Sequence, residues 1–334
     1  MEQPTFSSQR FDACSEIFMD TFNAPLLISN PRVKETLARL APMLHGKDKA
    51  LVKILACIFS NGHLLLEDLP GLGKTTMAIA AARVLGLHFG RIQCTNDLLP
   101  TDVTGLNIFK ADKGTFEFRP GPIFNHLVLV DEINRATPKT QSALLEAMGE
   151  EQATIDGTTY RVPRPFFVVA TQNPVEHAGT FPLPESQMDR FMMRTSIGYP
   201  ARDAEREILR VGSRKDEMMD IEPLLSPPDI IRIQDEIKSG VKVSDKILDY
   251  VLNLAERTRA SSEIAAGIST RGAMSLLQLA KSLAWMQSRD YVIPEDVKAL
   301  ADDVLLHRIQ LRQGSESAKR EMLRAIFSEI PAIA

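Results

Sequence analysis

Apolar residues recur along the first half of the chain in two alternating rhythms. Val33, Leu37, Leu40 and Leu44 fall three or four apart behind Asn30 and Pro31, a capping residue and the residue favoured at the first helical position, so a helix starts there. A second helix is expected over 47–60, closed by the turn at Asn61 and Gly62. From there to about residue 200, short apolar runs at 63–67, 91–94, 127–130, 166–170 and 195–199 read as strands, each set apart by a helical pattern. Strands alternating with helices predict an α/β fold, a mainly parallel sheet covered on both faces. Beyond Pro200 the strand signals stop. Ile247, Val251 and Leu254 share one helical face, and Ala273, Leu276, Leu277, Ala280 and Ala284 share another, which predicts a small all-helical domain. Residues 1 to about 28 show no clear period and are expected to form an N-terminal arm. The core then spans 29–200 and the helical domain 201–334.

Composition narrows the function classes. A chain of 334 residues is long enough to bury a sizeable core and suggests about two domains. Its 39 Lys+Arg against 43 Asp+Glu lack the basic footprint of a dedicated nucleic-acid binder. Cys14, Cys57 and Cys94 stand far apart, which argues against a disulfide framework or a structural zinc site and for free thiols in a reducing compartment. No apolar run approaches the ~18 residues of a membrane span, and the N-terminus has no apolar core of a signal peptide. A soluble, cytoplasmic protein is expected.

The candidate chemistry lies at three strand ends. The run at 63–67 leads into a turn with Gly71 and Gly73, then Lys74, Thr75 and Thr76 open an Ala-rich helix. Backbone N–H groups in such a turn and at the helix start converge on one spot and hold phosphate. Pro70, Gly71, Leu72, Gly73, Lys74, Thr75 and Thr76 therefore form a candidate cradle, with Lys74 reaching the β- and γ-phosphates and the Thr75 hydroxyl ligating Mg²⁺. The pattern departs from G-x-x-x-x-G-K-[ST] at its first position, where Asp68 replaces Gly. The next run ends in Asp131 and Glu132: a carboxylate to hold Mg²⁺, and a group to orient or deprotonate an attacking water. After the run 166–170, Asn173 offers a neutral amide to a water or phosphate, or simply forms a turn before Pro174.

Several longer motifs stand in one order: LLEDLPGLGKT at 65–75, DLLPTDVTG at 97–105, FRPGPIF at 118–124, DEINRATPKTQSALLEAM at 131–148, ATQNP at 170–174 and LPESQMDRF at 183–191. From about residue 26 to 312 the chain resembles the MoxR family of AAA+ ATPases. The resemblance implies a P-loop core with a five-stranded parallel sheet, a helical lid, and a homo-hexameric ring with ATP at subunit boundaries. It makes Asn173 sensor 1, Arg190 the arginine finger offered to a neighbour's ATP, and Arg271, in STRGA at 269–273, sensor 2. Gly46 and Lys47 stand where the family has an adenine-side Gly-Gln pair, so Lys47 is a second departure. A surface ion pair to Asp189 or Glu185 is the plain alternative for Arg190, a solvated first-turn arginine that for Arg271. Arg194 is a rival finger.

The resemblance also implies hairpins. Residues 103–118, with a turn at Lys113 and Gly114, resemble a hairpin inserted in the second core helix. Residues 152–162 read as another, with Asp156 and Gly157 at its turn. They would face the pore or one axial surface, or else only cover a sheet edge. The function implied is an ATP-hydrolysing, chaperone-like assembly factor acting in maturation or metal-cofactor insertion of partner complexes. Its partner would often carry a von Willebrand A domain; no Asp-x-Ser-x-Ser motif occurs here, so that domain would come from a separate polypeptide. The alternatives are a nucleic-acid motor of a related branch, disfavoured by the mixed charge of both hairpins, and a nucleotide-gated scaffold with little turnover.

Overall fold

The computed structural model describes residues 16–18, 25–174, 179–212 and 221–330. Most of the expected arm, residues 1–15 and 19–24, lies outside the described residues. What is described of it pairs antiparallel, β1 (Glu16–Phe18) against β2 (Pro25–Leu27). Leu26 and Ile28 are buried in the core.

Helix α1 (Pro31–Leu40) starts at the expected cap: the Asn30 side chain accepts the Arg32 N–H at 3.1 Å. Helix α2 (Asp48–Phe59) is buried along almost its whole length. Then come β3 (Leu64–Glu67), α3 (Lys74–Val84), β4 (Phe89–Gln93), the short α4 (Pro100–Thr104), the hairpin β5 (Gly105–Lys110) and β6 (Thr115–Pro120), and β7 (Leu127–Asp131). Helix α5 (Pro138–Glu150) leads into a second hairpin, β8 (Gln152–Ile155) and β9 (Thr158–Arg161), followed by β10 (Phe167–Gln172), α6 (Glu185–Met188) and β11 (Met193–Thr195).

Five of these strands form one sheet in the order β11-β3-β10-β7-β4, every pair parallel. Neighbouring residues on each strand enter different cores. Leu64, Leu66, Leu127, Leu129, Phe167 and Val169 pack into one, while Leu65, Val128, Val130, Val168 and Ala170 pack into the other. That is the period-2 alternation of a sheet buried on both faces, and it explains why these strands read as unbroken apolar runs. The register sets Gln172 opposite Glu67 and Gln93 opposite Asp131, so the strands end at one edge, where ligands bind in open parallel sheets. The last strand lies at 193–195 rather than the expected 195–199. Met193 and Thr195 are its buried positions, and the segment after Thr195 leaves the sheet to link core and C-terminal helices.

The C-terminal half holds α7 (Arg202–Val211), α8 (Pro227–Gly240), α9 (Asp245–Ala260), α10 (Thr270–Met286), α11 (Pro294–Ala299), α12 (Ala301–Leu305) and α13 (Glu316–Glu329). The expectation of an all-helical half needs one adjustment: Ile264–Ala266 and Gln310–Leu311 form a short antiparallel ladder. Residues this brief carry too little apolar alternation to register as strands. The first core continues into this half, with Phe59 of α2 meeting Trp285 of α10 edge to face at 5.6 Å between ring centroids. Among the described residues no helix is long and apolar enough to cross a membrane.

Both hairpins lie on one side of the sheet and touch each other. Phe118 stacks on Tyr160 at 4.0 Å, and Asn107 Nδ2 donates to Asp156 Oδ2 at 2.8 Å. Positive φ at Asp156 and Gly157 makes the tight turn of the second. At the tip of the first, Phe109 and Phe116 pair at 5.3 Å and remain largely exposed.

Candidate functional site

Strand β3 runs into the turn 68–73, and α3 opens at Lys74. Gly71 and Gly73 have φ of +86° and +88°, and a Cβ on either would meet nothing within 4 Å. Glycine is needed there for the backbone angle, and the space above the turn is open. No side chain caps α3, so its first N–H groups and its positive dipole end remain available to an anion. The Lys74 ammonium lies back over the turn, donating to the carbonyls of Asp68 at 2.6 Å and Leu69 at 3.2 Å. Burial lowers its pKa, opposed by the charges of Asp68, Asp131 and Glu132.

A cavity lies on each side of this loop, and Pro70 and Gly71 line both. The larger, about 420 Å³, is walled by Lys47, Leu72, Thr76, Tyr199, Ile208 and Leu209. Gly46 is not on that wall. Its φ is +71°, and a Cβ there would lie 2.8 Å from Ala204 Cβ, so it allows α7 to approach. The smaller cavity, about 180 Å³, gathers Lys74, Thr75, Asp131, Glu132 and Asn173.

Arg91 also lines the smaller cavity. Its Nε lies 2.8 Å from Asp131 Oδ2, and another guanidinium nitrogen donates to Gln93 Oε1 at 2.9 Å. Thr171 ties the two strand-end acids together: its hydroxyl oxygen accepts the Glu132 N–H at 2.9 Å and lies 3.4 Å from Asp131 Oδ1. Glu132 has a left-handed backbone, φ 57°, which turns its side chain out of the strand line. Its carboxylate accepts from Arg135 at 2.9 Å. The sequence pattern does not single out Arg91, Thr171 or Arg135. For Arg91 a signal exists, since Arg91 and Gln93 are alternate positions of a strand and so share a face.

Arg190 and Arg271 line neither cavity. Arg190 donates to the Leu145 carbonyl of α5 at 2.7 Å, in space that Gly149 leaves open: a Cβ there would lie 2.0 Å from the guanidinium. Its acidic neighbour Asp189 pairs instead with buried Arg308, at 2.7 Å. Exposed Arg271 stands 3.8 Å from Asp189 Oδ2. Arg194 is engaged by Glu67, at 3.3 Å, and by Glu316.

A phosphate-type loop on a parallel sheet, followed by a helical lid, defines an AAA-type ATPase. The ATPase family associated with various cellular activities (AAA) matches residues 63–193, and the AAA lid domain matches 256–330. The chain is 42% identical to Chaperone MoxR1 of Mycobacterium tuberculosis, over 80% of this chain and 72% of that one. It is 30% identical to Protein MoxR of Paracoccus denitrificans, over 90% and 96%. A crystal structure from Cytophaga hutchinsonii superposes with a TM-score of 0.83 at 39% identity, covering 91% of this chain and 95% of that one. The chain belongs to the MoxR family of AAA+ ATPases.

Proposed function

We propose that this protein hydrolyses ATP as a cytoplasmic, ring-forming assembly chaperone, with 29–200 as nucleotide-binding core, 201–334 as lid and 1–28 as arm. The observation that carries the reading is the smaller cavity: Lys74, Thr75, Asp131, Glu132 and Asn173 converge there, while Arg190 and Arg271 stand outside both cavities. A site that holds a triphosphate but lacks its charge-stabilising arginines is completed by another copy.

The base and ribose fit the larger cavity, beside Tyr199, Ile208 and Leu209. Lys74 exchanges the Asp68 and Leu69 carbonyls for phosphate oxygens. The Thr75 hydroxyl and Asp131 carboxylate are hard oxygen donors suited to Mg²⁺, which when bound neutralises phosphate charge. Glu132 releases Arg135 and takes a proton from water as the water oxygen bonds to the terminal phosphorus and the bond to ADP breaks. Asn173 orients that water. Arg190 of a neighbouring subunit, freed from its Leu145 carbonyl, meets the charge that builds on the transferred group, a contribution of about 10³–10⁵ in rate. Arg271 contacts the same nucleotide from the start of α10.

A homo-hexamer, a client bearing a von Willebrand A domain and a role in metal-cofactor insertion extend this reading on the family resemblance. The Mycobacterium tuberculosis relative, a chaperone by name, supports the chaperone class. In the first hairpin Lys110 lies 3.9 Å from Glu117 and Asp112 stands beside Lys113 at the turn, a mixed charge poorly suited to tracking nucleic-acid phosphates. The test is ATPase rate per protomer across a dilution series. A fall in specific activity as the assembly dissociates is expected, and a constant rate down to the monomer overturns the reading.

A further inference from the structure

Asp68 and Lys47 are the two places where the nucleotide-site sequence leaves its expected pattern, and both charged residues are buried, with 6% and 7% exposure. They meet at one residue, Gly198. The Asp68 carboxylate turns away from the loop and accepts the N–H groups of Ile197, at 2.5 Å, and Gly198, at 3.1 Å. The Lys47 ammonium donates to the Gly198 carbonyl. One side chain thus holds the segment by its donors and the other by its acceptor.

That segment joins β11 to α7, and α7 with Tyr199 forms the wall of the larger cavity opposite the phosphate loop. Asp68 is itself the first residue after β3, and its own carbonyl receives Lys74. The distance between the two walls is therefore set through Asp68, Gly198 and Lys47. Gly198 has φ +67° with open space around its Cβ position, so the linker's path depends on a turn that favours glycine. Burying a carboxylate or an ammonium alone is costly, and each is compensated when the other is present. Burial lowers the Lys47 pKa, opposed by the charges of Asp68 and Glu205.

We propose that Lys47 and Asp68 are coupled positioning residues for nucleotide binding, which pin the Ile197 and Gly198 linker and so hold α7 at its working distance from the phosphate loop. The proposal rests on the nucleotide reading of the two cavities. It removes Lys47 from contact with the base and makes the two sequence departures a single compensated unit.

The test is a double-mutant cycle in the full chain, Lys47→Gln, Asp68→Asn and both together, read by titration with a fluorescent ATP analogue. Each single variant should bind about tenfold more weakly, and the double variant no more weakly than the worse single. Steady-state turnover should show raised KM with kcat largely retained. Lys47→Arg should keep wild-type affinity where Lys47→Met loses it, a comparison that stands even if Asp68→Asn does not fold. Multiplicative losses in the double variant, or singles that bind like wild type while Lys74→Ala has lost binding, overturn the clasp alone. Full affinity in Lys74→Ala overturns the nucleotide reading and the clasp with it.

Discussion

Arg91 holds Asp131: two guanidinium nitrogens lie 2.8 Å from the same carboxylate oxygen, at the spot where a metal-bound phosphate would have to be served. The pair is half-exposed on the arginine side and nearly buried on the acid side. Arg91 therefore competes with any cation for Asp131. Arg91→Ala should bind Mg²⁺ more tightly in nucleotide-free protein, by about tenfold, as followed by calorimetric titration. The same change leaves a buried carboxylate unpaired, so the metal-free melting temperature should fall, by about 2–4 °C per kcal/mol lost.

Arg190→Ala should retain nucleotide affinity and lose turnover, because its side chain touches neither cavity of its own subunit. Loss of one hydrogen bond to the Leu145 carbonyl should cost only about 1 kcal/mol of stability. Mixing Arg190→Ala with Glu132→Gln protein should restore part of the ATPase rate at boundaries where an intact pocket meets an intact arginine. Absence of rescue in the mixing assay would exclude Arg190 as the donated group.

Arg308 joins core and lid. It sits almost fully buried, with Asp189 at 2.7 Å and the carbonyls of Phe191 and Met192 at 2.8 and 3.1 Å. Truncation to Ala removes the nearest partner of the Asp189 charge, leaving Arg271 at 3.8 Å, and takes a donor from both carbonyls, so Arg308→Ala should lower unfolding free energy by about 3–5 kcal/mol in urea titrations. Arg308→Lys should recover little, since an ammonium cannot match the planar fork of donors.

Acid should weaken the fold through a histidine remote from the nucleotide. His63 is buried, bonded to the Met148 carbonyl and accepting the Val168 N–H, both at 3.1 Å, an arrangement that fits the neutral ring. Desolvation pushes its pKa down to about 4 from an ordinary 6.5. Between those values the unfolded chain binds a proton that the folded chain refuses, so stability is lost as pH falls from about 6.5 to about 4. That difference amounts to about 3 kcal/mol. Buried His307, lowered by desolvation and by Arg308 and Arg194, acts in the same direction. Urea unfolding at stepped pH should show the slope, and His63→Gln should flatten part of it.

The sheet and the phosphate loop were legible because their signals are local: an apolar run, two glycines, a lysine and a strand-end acid pair. The same holds for the two hairpins, whose turns are written in Lys113, Gly114, Asp156 and Gly157. The last strand starts two residues and ends four residues before the expected span does, because Ile197 and Tyr199 extend the alternation of Met193 and Thr195 past the point where Asp68 captures the chain. Where Arg190 rests depends on a glycine 41 positions earlier, Gly149, which only packing brings near. Arg91 and Thr171 were missed for a related reason: a polar side chain on a strand is ordinary until the register sets it beside Asp131.

The stacked hairpins have a mechanical side. Phe118 on Tyr160, with Asn107 bonded to Asp156, binds four short strands into one stiff prow tipped by Phe109 and Phe116. Strand β8 grows out of α5 after a single intervening residue, and α5 carries the carbonyl that moors Arg190. A tug at the aromatic tip thus has fewer than a dozen residues of helix between it and that mooring.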